Sequence, residues 1–428
     1  MMATLKPLRG LRYNTDKVEI SQVIAPPYDV ISPEGRENLY RLSDYNVVRL
    51  ILGKDEPSDH ETSNRYTRAK GFLESWMRQG VLIEDEKPCF YLYEQIFKHP
   101  LSGREETRRS VFSLLKLENL GEGVVFPHEK TYAKPKADRL HLLKETHVNL
   151  SPVFGLYEDS DGTVNRALAP FYKTPCLFEA RDEEQVLHRF WKMEDSGAIE
   201  QVMAAFGSKK IVLADGHHRY ETALNHRKEK GDSGESACDY VLISLVDIQD
   251  PGLLVLPTHR LLKKFPGFNS ENFLANLKPY FDLVKTPSQS LMAAVDAFSA
   301  ADKGFGLYLG GDAAYLAKLK SLAAVLPLAP KGKSAEWAGL EVSILSYVAL
   351  EKALGLREDQ FEDNLSYTRS DAEAFKKVDS GPFAAAFIMR SIPVSDIQKV
   401  CERKDLLPHK STYFYPKLAS GLVFYRHV

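Results

Sequence analysis

KKIVLADGHHRYETALNHRKEKG, residues 209–231, decides how the chain is read. The apolar run Ile211 to Ala214 predicts a strand, Asp215-Gly216 a tight turn, and the residues from His217 a helix that stops at Gly231. Similar strand patterns recur on both sides. FYLYEQIF (90–97) and RRSVFSLLKLENL (108–120) predict a strand pair joined by the turn HPLSGRE, and SPVFGLYE (151–158), DYVLISLVDI (239–248) and GLLVLPTHRLL (252–262) predict further strands. VEISQVIAPPYDVIS (18–32) reads as a short strand ending in a proline-stiffened turn, and YNVVRLIL (45–52) alternates as another strand. NRYTRAKGFLESWMRQG (64–80) has the helical period, with Tyr66, Phe72, Leu73 and Trp76 on its buried stripe. From about residue 263 the pattern becomes helix-rich (NSENFLANLKPYF, SAEWAGLEVSILSYVALEKALGL, DAEAFKKV), bracketed by the strands PFAAAFIM (382–389) and GLVFYRHV (421–428). The class is α/β in the mixed, α+β sense, and the expected regions are 1–125, 126–262 and 263–428.

Composition bounds the partners. Of 428 residues, 44% are hydrophobic and 27% charged, the proportions of an ordinary globular chain. Lys and Arg number 56 against 58 Asp and Glu, a net charge of −2, so no global field draws the protein to nucleic acid or an anionic membrane. Cys89, Cys176, Cys238 and Cys401 lie far apart and form no C-x-x-C pair, which disfavours zinc ribbons and disulfide scaffolds. No apolar run approaches the ~20 residues of a membrane span. A cytoplasmic protein acting on small molecules is the expectation.

The turn DGHHRY, Asp215 to Tyr220, brings a helix N-terminus and an arginine to one point, which suits an anion. Arg219 can grip phosphate oxygens in bidentate fashion. His217 and His218 are adjacent, so they face different ways and read as separate phosphate or proton-transfer contacts. Asp215 can hold Mg²⁺ or accept a proton; the plain alternative is an N-capping aspartate beside two surface histidines. FPHEKT (126–131) and KPKADR (134–139) form a second polar cluster, contributing His128, Glu129, Lys130, Thr131, Lys136 and Arg139. HKSTYFYPK (409–417) is the third, with Lys410, Ser411, Thr412 and Lys417, and the final twenty residues carry no carboxylate. Asp29, on the stiff APPYDV turn, suits a positioned base. Arg49, in YNVVRL, and His259, in LPTHRLL, complete the candidates. Several familiar sites are missing: Gly332, Lys333 and Ser334 imitate the end of a P-loop, but Pro327 stands where its first glycine belongs, and no G-x-G-x-x-G, H-E-x-x-H or G-x-S-x-G occurs.

PLRGLRY, VIAPPYDVIS, YNVVRL, FPHEKT, PKADR, NLSPVFGLY, LADGHHRYETAL, LPTHRLL and KSTYFYPKLASGLV follow one another in this order across nearly the whole chain. In this the sequence resembles a long uncharacterised-domain family of the ParB/sulfiredoxin superfamily, and DGHHR resembles the phosphate-binding turn of archaeal free-serine kinases. The resemblance implies a ParB/sulfiredoxin-like core with large insertions. It also implies a phosphotransferase that makes O-phospho-L-serine from free L-serine with inorganic pyrophosphate and Mg²⁺, the metal near Asp215. Arg219, Lys136, Arg139, Lys410 and Lys417 would hold the donor, with Gly216 and Tyr220 completing the turn. An N-terminal carboxylate serves as base in the ParB-like kinases; Asp29 and Glu129 both suit that role here. One alternative keeps the kinase and changes the donor to ATP or ADP, with Tyr413, Phe414 and Tyr415 stacking on adenine. A second is a ParB-like nucleotide-binding regulator.

Overall fold

Phe90–Lys98 and Glu105–Lys116 pair antiparallel, with Tyr91 opposite Phe112, Tyr93 opposite Ser110 and Glu94 opposite Arg109. Aromatic and β-branched residues fill the buried positions of this hairpin, where their rings cross-pack: Phe190 stacks on Tyr91 and Phe178 with centroids 5.2 Å apart in each case. Around the hairpin grows a nine-stranded mixed sheet. Its path runs Val125–Phe126, Ile211–Asp215, Val153–Tyr157, Tyr240–Asp247, Glu105–Lys116, Phe90–Lys98, Leu187–Met193, Phe178–Arg181, and Leu5–Lys6 adds to Glu105–Lys116. All eight residues of Tyr240–Asp247 are buried, as a central strand covered on both faces requires. On one face lie the helices Thr163–Leu168, Ser196–Phe206 and His217–Lys230, which send Val164, Ile199, Val202, Phe206, Tyr220 and Leu224 into one core. Phe206, fully buried with its ring 4.6 Å from Tyr157, is worth roughly 1.5–3 kcal/mol in transfer free energy.

This computed structural model describes residues 3–131, 133–231 and 234–427, and the class is mixed α+β. The chain divides into two compact units. One takes Met1–Pro127, Thr131–Leu254 and Pro416–Val428; the other takes His128–Lys130 and Val255–Tyr415. The second unit contains the helices expected after residue 263, among them Ser270–Leu277 and Asp371–Ser380. It also holds a six-stranded antiparallel sheet ordered Phe281–Lys285, Ala314–Leu319, Gly304–Tyr308, Phe383–Ile388, His259–Lys263, Leu365–Thr368. No described helix is long and apolar enough to cross a membrane.

Two expected strands are helical turns. In VEISQV the residues Ile20–Val23 form one turn, closed by Ile24 N–H donating to Ile20 O at 3.2 Å, and bury Ile20 and Val23. In YNVVRLIL the helix is Val48–Ile51. Asn46 decides it: its Oδ1 accepts from Val48 N–H at 3.0 Å and its Nδ2 donates to Gln22 O and Ile24 O. A side chain that satisfies the first helical amide outweighs the β preference of Val47 and Val48. The expected helix at 64–80 forms as Arg65–Arg78, capped by an Asn64–Thr67 box, with Ala69, Leu73 and Trp76 buried. At the end, the strand is Tyr425–Arg426, preceded by an isolated bridge from Phe424 to Leu11, and Val428 lies outside the described residues.

Candidate functional site

Ile211–Asp215 runs antiparallel to Val153–Tyr157, and the register slips between Leu213 and Asp215. Such a bulge bends the strand and re-aims the residue that follows. Gly216 then turns the chain at φ +83°, and the helix His217–Lys230 begins. Gly216 supplies no side-chain cap, and by helix geometry the first-turn amides lack intrahelical acceptors. A Cβ at position 216 would stand 3.0 Å from the Arg219 guanidinium carbon. Gly216→Ala therefore combines a left-handed backbone with a crowded guanidinium, and we expect a loss of about 1–2 kcal/mol, read as a lower urea midpoint.

The Asp215 carboxylate is the hub. Its Oδ1 accepts from Gly216 N–H at 2.6 Å, its Oδ2 lies 2.8 Å from Lys417 Nζ, and Arg219 approaches Oδ1 at 3.7 Å. Burial alone would raise its pKa, but the Lys417 and Arg219 charges and the Lys417 hydrogen bond outweigh that and hold the carboxyl far below its ordinary value. Arg219 also donates to Pro152 O, which fixes the guanidinium at the mouth of the turn.

Lys417 is held from behind. Arg108, which is 1% exposed, donates to Pro416 O at 2.5 Å and to Gln95 Oε1, and Gln95 Nε2 donates to Lys417 O at 3.0 Å. Two strands of the central hairpin thus clamp the backbone on either side of the Pro416–Lys417 peptide. Burial lowers the Arg108 pKa to about 10, which leaves it a cation near neutrality. Arg108 and Gln95 escaped the sequence reading, because a buried arginine inside a strand pattern gives no motif.

The helix Ala133–Thr146 places Lys136 and Arg139 of the second cluster, with Thr131 just before it, in the same unit as the turn. Lys136 Nζ and Thr131 Oγ1 meet Glu221 Oε2 at 2.8 and 2.7 Å, one turn beyond His217. Glu221, inside the quoted run, was likewise not singled out. Arg139 donates to Ile51 O at 2.8 Å and to Asp138, and its guanidinium lies 4.0 Å from the centre of the Tyr28 ring. Burial raises the Tyr28 pKa, opposed by Arg139 and Arg219, while its neighbour Asp29 pushes it further up. The exposed Asp29 turn, Arg139 and the DGHHR turn therefore share one neighbourhood. Tyr28, Arg139, Asn149, Ser151, Arg219 and Thr222 line a cleft of about 50 Å³ there.

His217 is buried and His218 half-buried in the first turn of the helix. Tyr220 is fully buried; its hydroxyl donates to Glu118 O and accepts from Glu118 N–H, both at 3.0 Å, so it anchors the helix. Arg49 stands apart, bonded to Asp44 and Tyr40 O.

The remaining candidates belong to the second unit. His128 is buried and its Nε2 lies 2.8 Å from Thr412 Oγ1 and 3.9 Å from Glu129. Ser411 donates to Pro408 O, Lys410 is exposed at φ +55°, and Lys130 is exposed. His259 accepts from Met389 N–H at 3.1 Å through Nδ1, and burial lowers its pKa to about 4, which keeps it neutral. Of the aromatic run, Phe414 is buried and Tyr413 lies under the Arg369 guanidinium at 3.8 Å.

The residues around Asp215 do not fit a resident magnesium ion. Mg²⁺ requires a near-octahedral oxygen shell, whereas this carboxylate carries an ammonium at 2.8 Å and a guanidinium at 3.7 Å.

Residues 5–343 match the model of the family described as "Protein of unknown function (DUF1015)", and the chain belongs to that family. Solved structures similar to it include a free serine kinase variant in complex with ADP, with 11% identity, 73% of this chain and 92% of that chain covered, and a TM-score of 0.37. A conserved hypothetical protein from Pyrococcus furiosus aligns at 12% identity over 73% and 94% of the two chains, TM-score 0.35. SbnI with a C-terminal truncation from Staphylococcus aureus aligns at 8% identity over 73% and 86%, TM-score 0.35. No curated protein matches the sequence.

Proposed function

We propose that the chain is a phosphotransferase that moves a phosphoryl group from inorganic pyrophosphate to the hydroxyl of free L-serine, on a ParB/sulfiredoxin-like core. One observation carries the reading: a helix N-terminus at Gly216 behind a bulged strand, with Arg219, Lys417, Lys136 and Arg139 in the same unit. Phosphoryl transfer requires positioning and charge neutralisation above all, and this arrangement supplies both. The DGHHR resemblance points to the same chemistry.

In the proposed reaction the first-turn amides and Arg219 receive the transferred phosphoryl group, and His217 or His218 stabilises it in flight. Lys417, turned from Asp215, neutralises the departing phosphate. Asp29 accepts the serine hydroxyl proton; it lies in the same unit as the turn, whereas Glu129 lies in the other. The serine oxygen bonds to phosphorus as the bridging P–O bond breaks, and orthophosphate leaves. Magnesium would accompany the donor's phosphates. The engaged state of Tyr413 and Phe414 speaks for a donor without a base to stack.

Incubation with L-serine, magnesium and either pyrophosphate, ATP or ADP tests this directly. O-phosphoserine with pyrophosphate alone is the expected product by mass spectrometry. Product only with a nucleotide would reassign the donor, and none with any donor would overturn serine phosphorylation.

A further inference from the structure

Away from the anion turn, the helix His217–Lys230 carries His226 into a buried pocket that it shares with Cys238 and His427. One donor atom from each residue lies within 4.8 Å of the other two. Cys238 Sγ stands 3.6 Å from His427 Nδ1. Bond lengths of about 2.3 Å to sulfur and 2.0–2.1 Å to nitrogen at tetrahedral angles set an S···N edge of about 3.6 Å, the separation found here.

The polar bookkeeping points the same way. His226 is 4% exposed and His427 8%, yet neither nitrogen of His226 and not Nε2 of His427 has a hydrogen-bond partner. Buried imidazole nitrogens normally find partners, and three left without one around a thiol mark a place for something to bind. The positions are held firmly: His427 N–H donates to His147 O at 2.8 Å, and Tyr425 hydroxyl donates to Ala237 O at 2.9 Å beside Cys238.

We propose that His226, Cys238 and His427 bind one zinc ion, at a site separate from the anion turn. One thiolate and two imidazoles form a borderline-soft set that suits Zn²⁺ and not Mg²⁺ or Ca²⁺. Binding replaces the Cys238 thiol proton, released to solvent, with a Zn–S bond, and no oxidation state changes. Water takes the fourth position. The ion joins the helix His217–Lys230 to the segment after Tyr425–Arg426, the same terminal segment that carries Lys417. Its role is to staple that segment in place.

The reduced, chelator-treated full chain is titrated with Co²⁺ and then Zn²⁺. We expect one equivalent of Co²⁺ to produce thiolate-to-cobalt charge-transfer absorption in the near ultraviolet, bleached by one equivalent of Zn²⁺. Cys238→Ser should abolish that absorption and weaken Zn²⁺ binding at least tenfold, while Cys176→Ser leaves both unchanged. X-ray absorption at the zinc edge of the unmutated protein guards against a variant that fails to fold; one sulfur and two imidazole scatterers are expected. Absence of saturable binding, a band that survives Cys238→Ser, or a shell without sulfur overturns the site.

Discussion

In the proposed phosphoryl transfer to serine, Asp215→Asn will lower kcat by about 10²- to 10³-fold, while the KM for pyrophosphate stays constant or falls. The carboxylate aligns Lys417 and Arg219 at 2.8 and 3.7 Å, and without its charge those two cations lose their common reference. Misplacement of a catalytic group by about 1 Å is enough for a hundredfold loss. Removing a negative charge from an anion site does not weaken ground-state binding of the donor, hence the split between kcat and KM. Steady-state kinetics of the variant check this, and a raised KM with unchanged kcat would assign Asp215 to donor binding alone. The same substitution leaves Lys417 facing a neutral partner in a largely buried place, so stability falls by roughly 3 kcal/mol near neutral pH. The sign of the pH dependence follows from a carboxyl held below its ordinary value in the folded state. Its contribution is full above the unfolded pKa of about 4 and is lost as pH falls through the lower folded value. The stability gap between the two proteins is therefore flat from pH 5 to 8 and closes only in strong acid, as urea titrations at several pH values will show.

Arg108→Met will destabilise the protein by about 3–4 kcal/mol, since it strips partners from the Pro416 carbonyl and the Gln95 amide in a buried place. Methionine replaces much of the arginine stem, which isolates the effect to the guanidinium. The loss also frees the backbone beside Lys417, so turnover falls about a hundredfold. Arg108→Lys retains one donor and a charge and should recover part of both. Denaturant midpoints and kcat measured on the same preparations check the pair; unchanged kcat in a folded Arg108→Met protein would show that Lys417 is placed by other contacts.

The strand, turn and helix around DGHHR were legible because their signals are local: an apolar run, Asp-Gly, a helical period and a closing glycine. The hairpin at 90–116 and the helix at 65–78 were legible for the same reason. VEISQV and YNVVRL misled because β-branched residues suggest strands, whereas the outcome turned on the side chain of Asn46 reaching back to residues 22 and 24. The strands Phe281–Lys285, Gly304–Tyr308 and Ala314–Leu319 passed unnoticed because they are short and Gly, Ala, Lys and Asp interrupt their apolar residues. At the candidate site, the strand–turn–helix unit was visible in the sequence, but the pairing of residue 215 with 417, and of 108 with 416, spans too much chain for any pattern to reveal.

Because Pro416–Val428 completes the first unit after the whole of Val255–Tyr415 has intervened, that unit cannot finish folding in step with synthesis. The part of it before Val255 emerges from the ribosome without Lys417, and Asp215 has only Arg219 as a cationic partner until about two hundred further residues have been made. At about 5–20 residues per second that delay is on the order of ten seconds or more. Nascent chains arrested short of residue 417 should hold the central hairpin yet lack the charge balance of the turn, so the candidate site matures only late in the life of the polypeptide.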